Sequence, residues 1–152
     1  YLAIIEELKT MIPDITLATD IIVGYPTETE DDYWETLQLL RKITPDVVNI
    51  SKFWSRPGTS AAKLEELPQE EVKRRAKVVT DIFHNISTLQ NEKWRGWEGT
   101  IVIDEKGKFE NQWVGRNYTY KPVIVEGSFK LGDTIDVKIV KRTMFDLRGE
   151  VV

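Results

Sequence analysis

The sequence predicts two fold classes in one chain: an α/β part over residues 1–91 and a small all-β barrel over residues 92–152. Three observations lead there. Apolar residues at helical spacing alternate with short β-branched runs up to residue 91. After Gly96 the period becomes two, with turn residues every ten or so positions. The charge balance changes at the same place: residues 1–91 carry 10 Lys/Arg against 15 Asp/Glu, whereas residues 92–152 carry 11 against 10.

Leu2, Ile5, Leu8, Met11 and Ile12 repeat at helical spacing, and Pro13 ends that helix. Ile15 to Val23 is apolar and β-branched on both faces, which suits a parallel strand buried on both sides. Gly24-Tyr25-Pro26 breaks it. Thr27 or Thr29 caps the next helix, which runs to about Lys42. Asp46 to Phe53 reads as a second strand, and Arg56-Pro57-Gly58-Thr59 as the loop at its end. The order helix, strand, helix, strand argues for part of a parallel sheet or barrel. Pro68 opens a long helix over about 69–93, with Glu70 and Glu71 favoured at its positive end and Val72, Ala76, Val79, Phe83 and Ile86 forming one stripe. Lys73-Arg74-Arg75 lies off that stripe and reads as a solvated face. Strands follow near 99–104, 111–117, 121–126, 133–141 and 146–152, the right number and size for a small antiparallel barrel of the oligonucleotide-binding class.

Composition removes several functions. Charged residues are 30% and the net charge is −4, which excludes a wholly basic nucleic-acid binder but leaves room for a local basic face. No apolar run approaches the roughly 20 residues that cross a bilayer. Cysteine is absent, so this chain supplies no disulfide, no thiolate-held zinc or iron–sulfur cluster and no thiol nucleophile. The chain begins at Tyr1 inside a helical pattern with no signal peptide in view, which suggests a fragment or processed product.

Two loops lie at the C-terminal edge of the expected parallel strands, where α/β folds bind ligands. In the first, Gly24 admits a close backbone approach, and Asp20 and Glu28 offer acceptors for hydroxyl or amino groups; the same residues also make ordinary strand-to-helix turn chemistry. In the second, Arg56 suits a carboxylate or phosphate, or is a solvated residue beside a Pro-Gly turn. His84 has no second His or Cys to complete a metal site and reads as structural or solvated. Trp94 and Trp97 flank Gly96 and read as interdomain packing. Lys106, Lys108, Arg116, Lys121, Lys130, Lys138, Lys141, Arg142 and Arg148 lie among Trp113, Tyr118, Tyr120 and Phe145. Cations for phosphates and rings for unpaired bases fit RNA, with the acids Asp104, Glu105, Asp133 and Asp136 gathered elsewhere; an ordinary charged surface fits the residues equally.

These segments resemble a known family. Thr19 to Asp32 and Ser55 to Leu64 resemble late segments of the radical S-adenosylmethionine methylthiotransferases. Val114-Gly115-Arg116-Asn117, Pro122-Val123, Leu131-Gly132-Asp133 and Asp146 to Glu150 resemble that family's C-terminal TRAM domain. Lys52 to Thr59 leans toward the archaeal and eukaryotic branch. The resemblance implies the last βα units of a radical S-adenosylmethionine partial barrel followed by a five-stranded TRAM barrel. It implies a cytoplasmic parent that adds a methylthio group to C2 of N6-threonylcarbamoyladenosine in the tRNA anticodon loop, using S-adenosylmethionine and two 4Fe-4S clusters. It assigns Asp20, Gly24, Glu28, Arg56 and Thr59 to the cofactor side. Gly24 and Glu28 are one residue further apart than the usual radical S-adenosylmethionine spacing. Arg116, Asn117, Lys141, Thr143 and Arg148 are assigned to the tRNA anticodon stem-loop. No cofactor is expected on this cysteine-free chain alone, and no catalysis. A parent acting on a ribosomal protein, and a stand-alone RNA-binding module, are the alternatives. Ile15, Leu17, Ile21 and Val23 would leave an apolar face open without the missing N-terminal part, so self-association or loose folding is expected there.

Overall fold

The computed structural model describes residues 1–152. They form α1 (Leu2–Met11), β1 (Ala18–Val23), α2 (Glu30–Ile43), β2 (Val47–Lys52), α3 (Gln69–Glu92), and then β3 (Glu98–Lys106), β4 (Gln112–Arg116), β5 (Pro122–Glu126), β6 (Thr134–Arg142) and β7 (Leu147–Val151). A 3-10 turn at Ser60–Lys63 lies between β2 and α3. The chain divides into two compact units, one of residues 17–86 and one of residues 1–16 with 87–152. α1 thus groups with the barrel residues, and just beyond it the Tyr118 hydroxyl donates to Asp14 at 2.7 Å.

In the unit of residues 17–86, β1 and β2 pair in parallel, from Ala18 opposite Val47 to Val23 opposite Lys52. Val23, Tyr33, Leu37, Leu40, Val48, Val72, Val79 and Ile86 form its core. Thr29 caps α2: its side chain accepts from the Asp32 amide while Asp32 accepts from the Thr29 amide. The expectation of a strand buried on both faces is corrected. Thr19, Ile21 and Val23 turn inward, but Ala18, Asp20 and Ile22 are exposed, because the helices of a two-stranded sheet cover one side only.

In the other unit, five strands close into a barrel in the order β3-β4-β5-β7-β6. The expected wholly antiparallel barrel is also corrected, since β5 and β7 run parallel. A closed ring with an odd number of strands cannot alternate direction throughout, so one parallel seam is unavoidable. Ile101, Ile103, Val123, Val125, Val137, Ile139 and Leu147 fill the interior together with Trp94. Trp94 and Trp97 meet edge to face at 5.6 Å, and Trp97 packs on this same core, so both rings pack within the barrel unit rather than between domains. Bulges lie between Ile103 and Glu105 and between Ile139 and Lys141.

Candidate functional site

The loops after β1 and β2 have different fates. Gly24 has φ 82°, and a Cβ built on it would lie 2.7 Å from a Val72 methyl, so its small size serves the packing of α3. Its amide donates to Glu28 at 2.9 Å. The same Glu28 carboxylate accepts from Arg75 at 2.7 Å, with only 10% of its side chain exposed. Arg75 is buried, which corrects its reading as part of a solvated face; Lys73 and Arg74 remain exposed. Arg75 also meets Glu71 at 2.7 Å and Glu30 at 3.1 Å, donates to the Glu28 and Thr29 carbonyls, and lies 5.0 Å from the Tyr33 ring. Hydrogen bonds from Arg74 and then Arg75 hold the Glu71 carboxyl at about 2, well below its ordinary value. Nothing in the spacing of Lys73-Arg74-Arg75 marks the third residue as the buried one except its position three after Val72 and four before Val79 on α3.

Asp20 lies on the exposed face of β1 and accepts from Asn49 at 2.7 Å. Arg56 and Thr59 do meet in one cleft of about 430 Å³, lined also by Ile22, Lys52, Phe53 and Trp54. Thr59 spans the loop, its hydroxyl donating to the Arg56 carbonyl at 2.8 Å and accepting from the Ala62 amide. The five cofactor-side residues therefore split: Arg56 and Thr59 line the cleft, Gly24 and Glu28 face α3, and Asp20 is on the open sheet face. The Arg56 guanidinium and the Phe53 and Trp54 rings suit an amino-acid carboxylate and a nucleoside base. No group of three or more His, Cys, Asp or Glu residues is placed to hold a metal ion. Without a thiol, the residues present do not fit an iron–sulfur cluster.

On the barrel, strand register gathers some of the predicted residues. Val114 pairs with Ile124, Ile124 with Arg148, and Arg148 with Lys141, a row across four neighbouring strands. Lys141 and Arg148 share a cleft of about 360 Å³ with Glu126, Val140 and Glu150. Arg116 is placed differently. Its Nε donates to Asp104 at 2.9 Å, Glu105 lies 4.0 Å away, and its guanidinium stands 4.9 Å from the Tyr120 ring. The acids are thus interleaved with the cations rather than gathered elsewhere. Asn117 is buried, and its Oδ1 accepts from the Thr119 amide and hydroxyl and from the Lys121 amide, which makes it the hub of a turn. Thr143 makes a turn of its own, accepting from the Phe145 and Asp146 amides. Lys121 is buried, not on the surface as the sequence pattern suggested, and Trp113 is half-buried, its indole N–H donating to the Gly127 carbonyl. Tyr118, Tyr120 and Phe145 are exposed. The His84 ring lies 6.4 Å from that of Phe83.

Residues 93–152 match the TRAM domain family. A protein of Archaeoglobus fulgidus named "Probable threonylcarbamoyladenosine tRNA methylthiotransferase" is 33% identical over 91% of this chain and 32% of its own length. The threonylcarbamoyladenosine tRNA methylthiotransferase of Drosophila melanogaster is 35% identical over 98% of the chain and 27% of its own. The tRNA-2-methylthio-N(6)-dimethylallyladenosine synthase of Thermotoga petrophila is 35% identical over 100% of the chain and 35% of its own. The chain spans about a third of the length of these relatives. The chain is thus similar to the TRAM domain family over residues 93–152 and, over 91% or more of its length, to proteins named as tRNA methylthiotransferases and a tRNA-2-methylthio-N(6)-dimethylallyladenosine synthase.

Proposed function

We propose that this chain is the C-terminal portion of a tRNA methylthiotransferase that adds a methylthio group to C2 of N6-threonylcarbamoyladenosine in the anticodon loop. Residues 92–152 hold the tRNA anticodon stem-loop, and residues 1–91 complete part of the S-adenosylmethionine barrel. The same reading puts the activity in the cytoplasm. The observation that carries the RNA role is the register pairing of Lys141 with Arg148, which sets two cations side by side on one cleft whose lining also includes Glu126 and Glu150. The names of the Archaeoglobus and Drosophila relatives favour threonylcarbamoyladenosine. The Thermotoga relative, matched over all of the chain, favours dimethylallyladenosine as the second reading.

Arg56 would meet the carboxylate of S-adenosylmethionine, with Phe53 and Trp54 against its adenine. When bound, S-adenosylmethionine supplies the methyl group and the radical chemistry. Glu28, engaged with Arg75, would act by fixing the loop after β1 rather than by touching the cofactor. With no cysteine on this chain, thiolates that held the two 4Fe-4S clusters would have to come from outside residues 1–152.

Binding of an anticodon stem-loop, measured against salt, tests the RNA role. Lys141→Ala and Arg148→Ala should each weaken binding and lower the slope of log K against log salt by about one. Arg116→Ala should change the slope less, since Arg116 is the more closely paired, with Asp104 at 2.9 Å and Glu105 at 4.0 Å against Asp146 at 3.4 Å from Arg148. Unchanged affinity and slope in the first two variants would reject the assigned face. For the substrate, deleting the encoding gene and analysing tRNA nucleosides by mass spectrometry should remove the methylthio group from threonylcarbamoyladenosine. Its loss from dimethylallyladenosine instead selects the second reading.

A further inference from the structure

The turn between β4 and β5 carries a residue that its own backbone disfavours. Tyr120 has φ 69°, the left-handed region in which a bulky side chain is an outlier and glycine or asparagine is at ease. Burial does not explain the ring, because Tyr120 is 67% exposed. The conformation is held from several sides. The Tyr120 amide donates to the Asn117 carbonyl at 2.9 Å, the Asn117 amide donates to the Lys121 carbonyl, and the Asn117 side chain ties down Thr119 and Lys121. Strain that persists on a surface because its surroundings enforce it points to use.

The ring is also clamped. The Arg116 guanidinium stands 4.9 Å from its centroid, and Arg116 is itself fixed by Asp104 at 2.9 Å. Tyr118, two residues earlier, is 70% exposed, yet its ring packs on Trp94 and Trp97 and its hydroxyl donates to Asp14. The turn thus presents two anchored rings to solvent. Because the Arg116 charge is already met by Asp104, the place suits a flat, uncharged group better than a phosphate.

We propose that Tyr120, clamped by Arg116, is a stacking platform for an unpaired RNA base. The inference rests on the reading of residues 92–152 as an RNA-binding barrel and adds where a base is held. Lys141 and Arg148 grip the backbone, while Tyr120 receives a base that the duplex does not use. A stacked base gains affinity regardless of its identity, so the platform favours unpaired loop nucleotides over helical ones.

The test uses the 152-residue chain and a seven-nucleotide single-stranded RNA carrying 2-aminopurine, whose fluorescence falls on stacking, placed at each position in turn. Tyr120→Gly keeps the left-handed backbone and removes the ring. It should bind about tenfold more weakly and lose the quench at one position, with an unchanged salt slope and a thermal midpoint no lower than the parent's. Tyr120→Asn is the second ring-free variant should the glycine loosen the turn. Tyr120→Phe should keep both affinity and quench. If Tyr120→Gly and Tyr120→Asn bind as tightly as the parent with the same quench, the platform is rejected, even where Lys141→Ala and Arg148→Ala still shift the slope. A fall of about one in the slope for Tyr120→Gly also rejects it, in favour of a phosphate contact. If the parent binds no RNA at low salt, the RNA-binding reading fails and the platform with it.

Discussion

Gly24 does at one position what a longer side chain would undo. Its φ of 82° and the Val72 methyl 2.7 Å from a built Cβ are two separate obstacles to any other residue. Gly24→Ala should therefore destabilise the unit of residues 17–86 by about 2 kcal/mol in urea unfolding. Adding Val72→Ala should recover only the clash, leaving the backbone strain. Arg75 is the second such residue. It is buried among Glu28, Glu30 and Glu71; Arg74 also pairs with Glu30 and Glu71, so removing Arg75 leaves the buried Glu28 carboxylate without its cation. Arg75→Met should cost about 3 kcal/mol, and Arg75→Lys should restore little, since one ammonium cannot reach three carboxylates and two carbonyls. Glu71 gives the network a pH signature. Its carboxyl is depressed in the folded protein, so its stabilisation is present above the ordinary carboxylate value of 4.5 and is lost as pH falls from there through about 2. The urea midpoint should drop between pH 5 and pH 2, and Glu71→Gln should flatten that drop.

At the scale of elements, local chemistry was legible where it is local. The sequence offers Thr27 or Thr29 as the cap of α2, and the structure selects Thr29, in a reciprocal pair with Asp32. Thr29→Ala should cost about 1 kcal/mol, seen as a lower thermal midpoint. All five barrel strands were legible from their period of two and their turn residues, which report alternating burial directly. β1 was legible as a strand but not as a one-sided one. Its apolar residues on both faces describe what the strand is suited to, whereas its burial depends on which neighbours are present. Arg75 was misread for a related reason. A charged side chain declares nothing about burial until the carboxylates that meet it, 45 and 47 residues away for Glu30 and Glu28, are brought into place.

For the whole molecule, the open face of the β1–β2 sheet is the feature with consequences. Ile21 and Val23, expected on that face, pack in the core instead, and the exposed apolar residues are Ile22 at 60% and Val47 at 40%, with Trp54 at 82% in the loop beyond β2. Apolar exposure beside an unpaired strand edge favours association. Sedimentation should show an apparent mass that rises with concentration, and Ile22→Lys should suppress the rise. A sharp monomer at every concentration would show that the face tolerates water. No helix is long and apolar enough to cross a membrane, so these side chains are not explained as a helical span.

What the sequence determined by itself was the order and period of the elements, the turn and cap residues and the likeness to methylthiotransferases, because each is written in residues close together along the chain. Tertiary structure alone decided the parallel β5–β7 seam, the burial of Arg75, the pairing of Lys141 with Arg148 and the separation of Glu28 from Arg56 and Thr59. Each of these joins residues distant in sequence, and such pairs acquire their electrostatics and exposure only when packing brings them within a few ångströms.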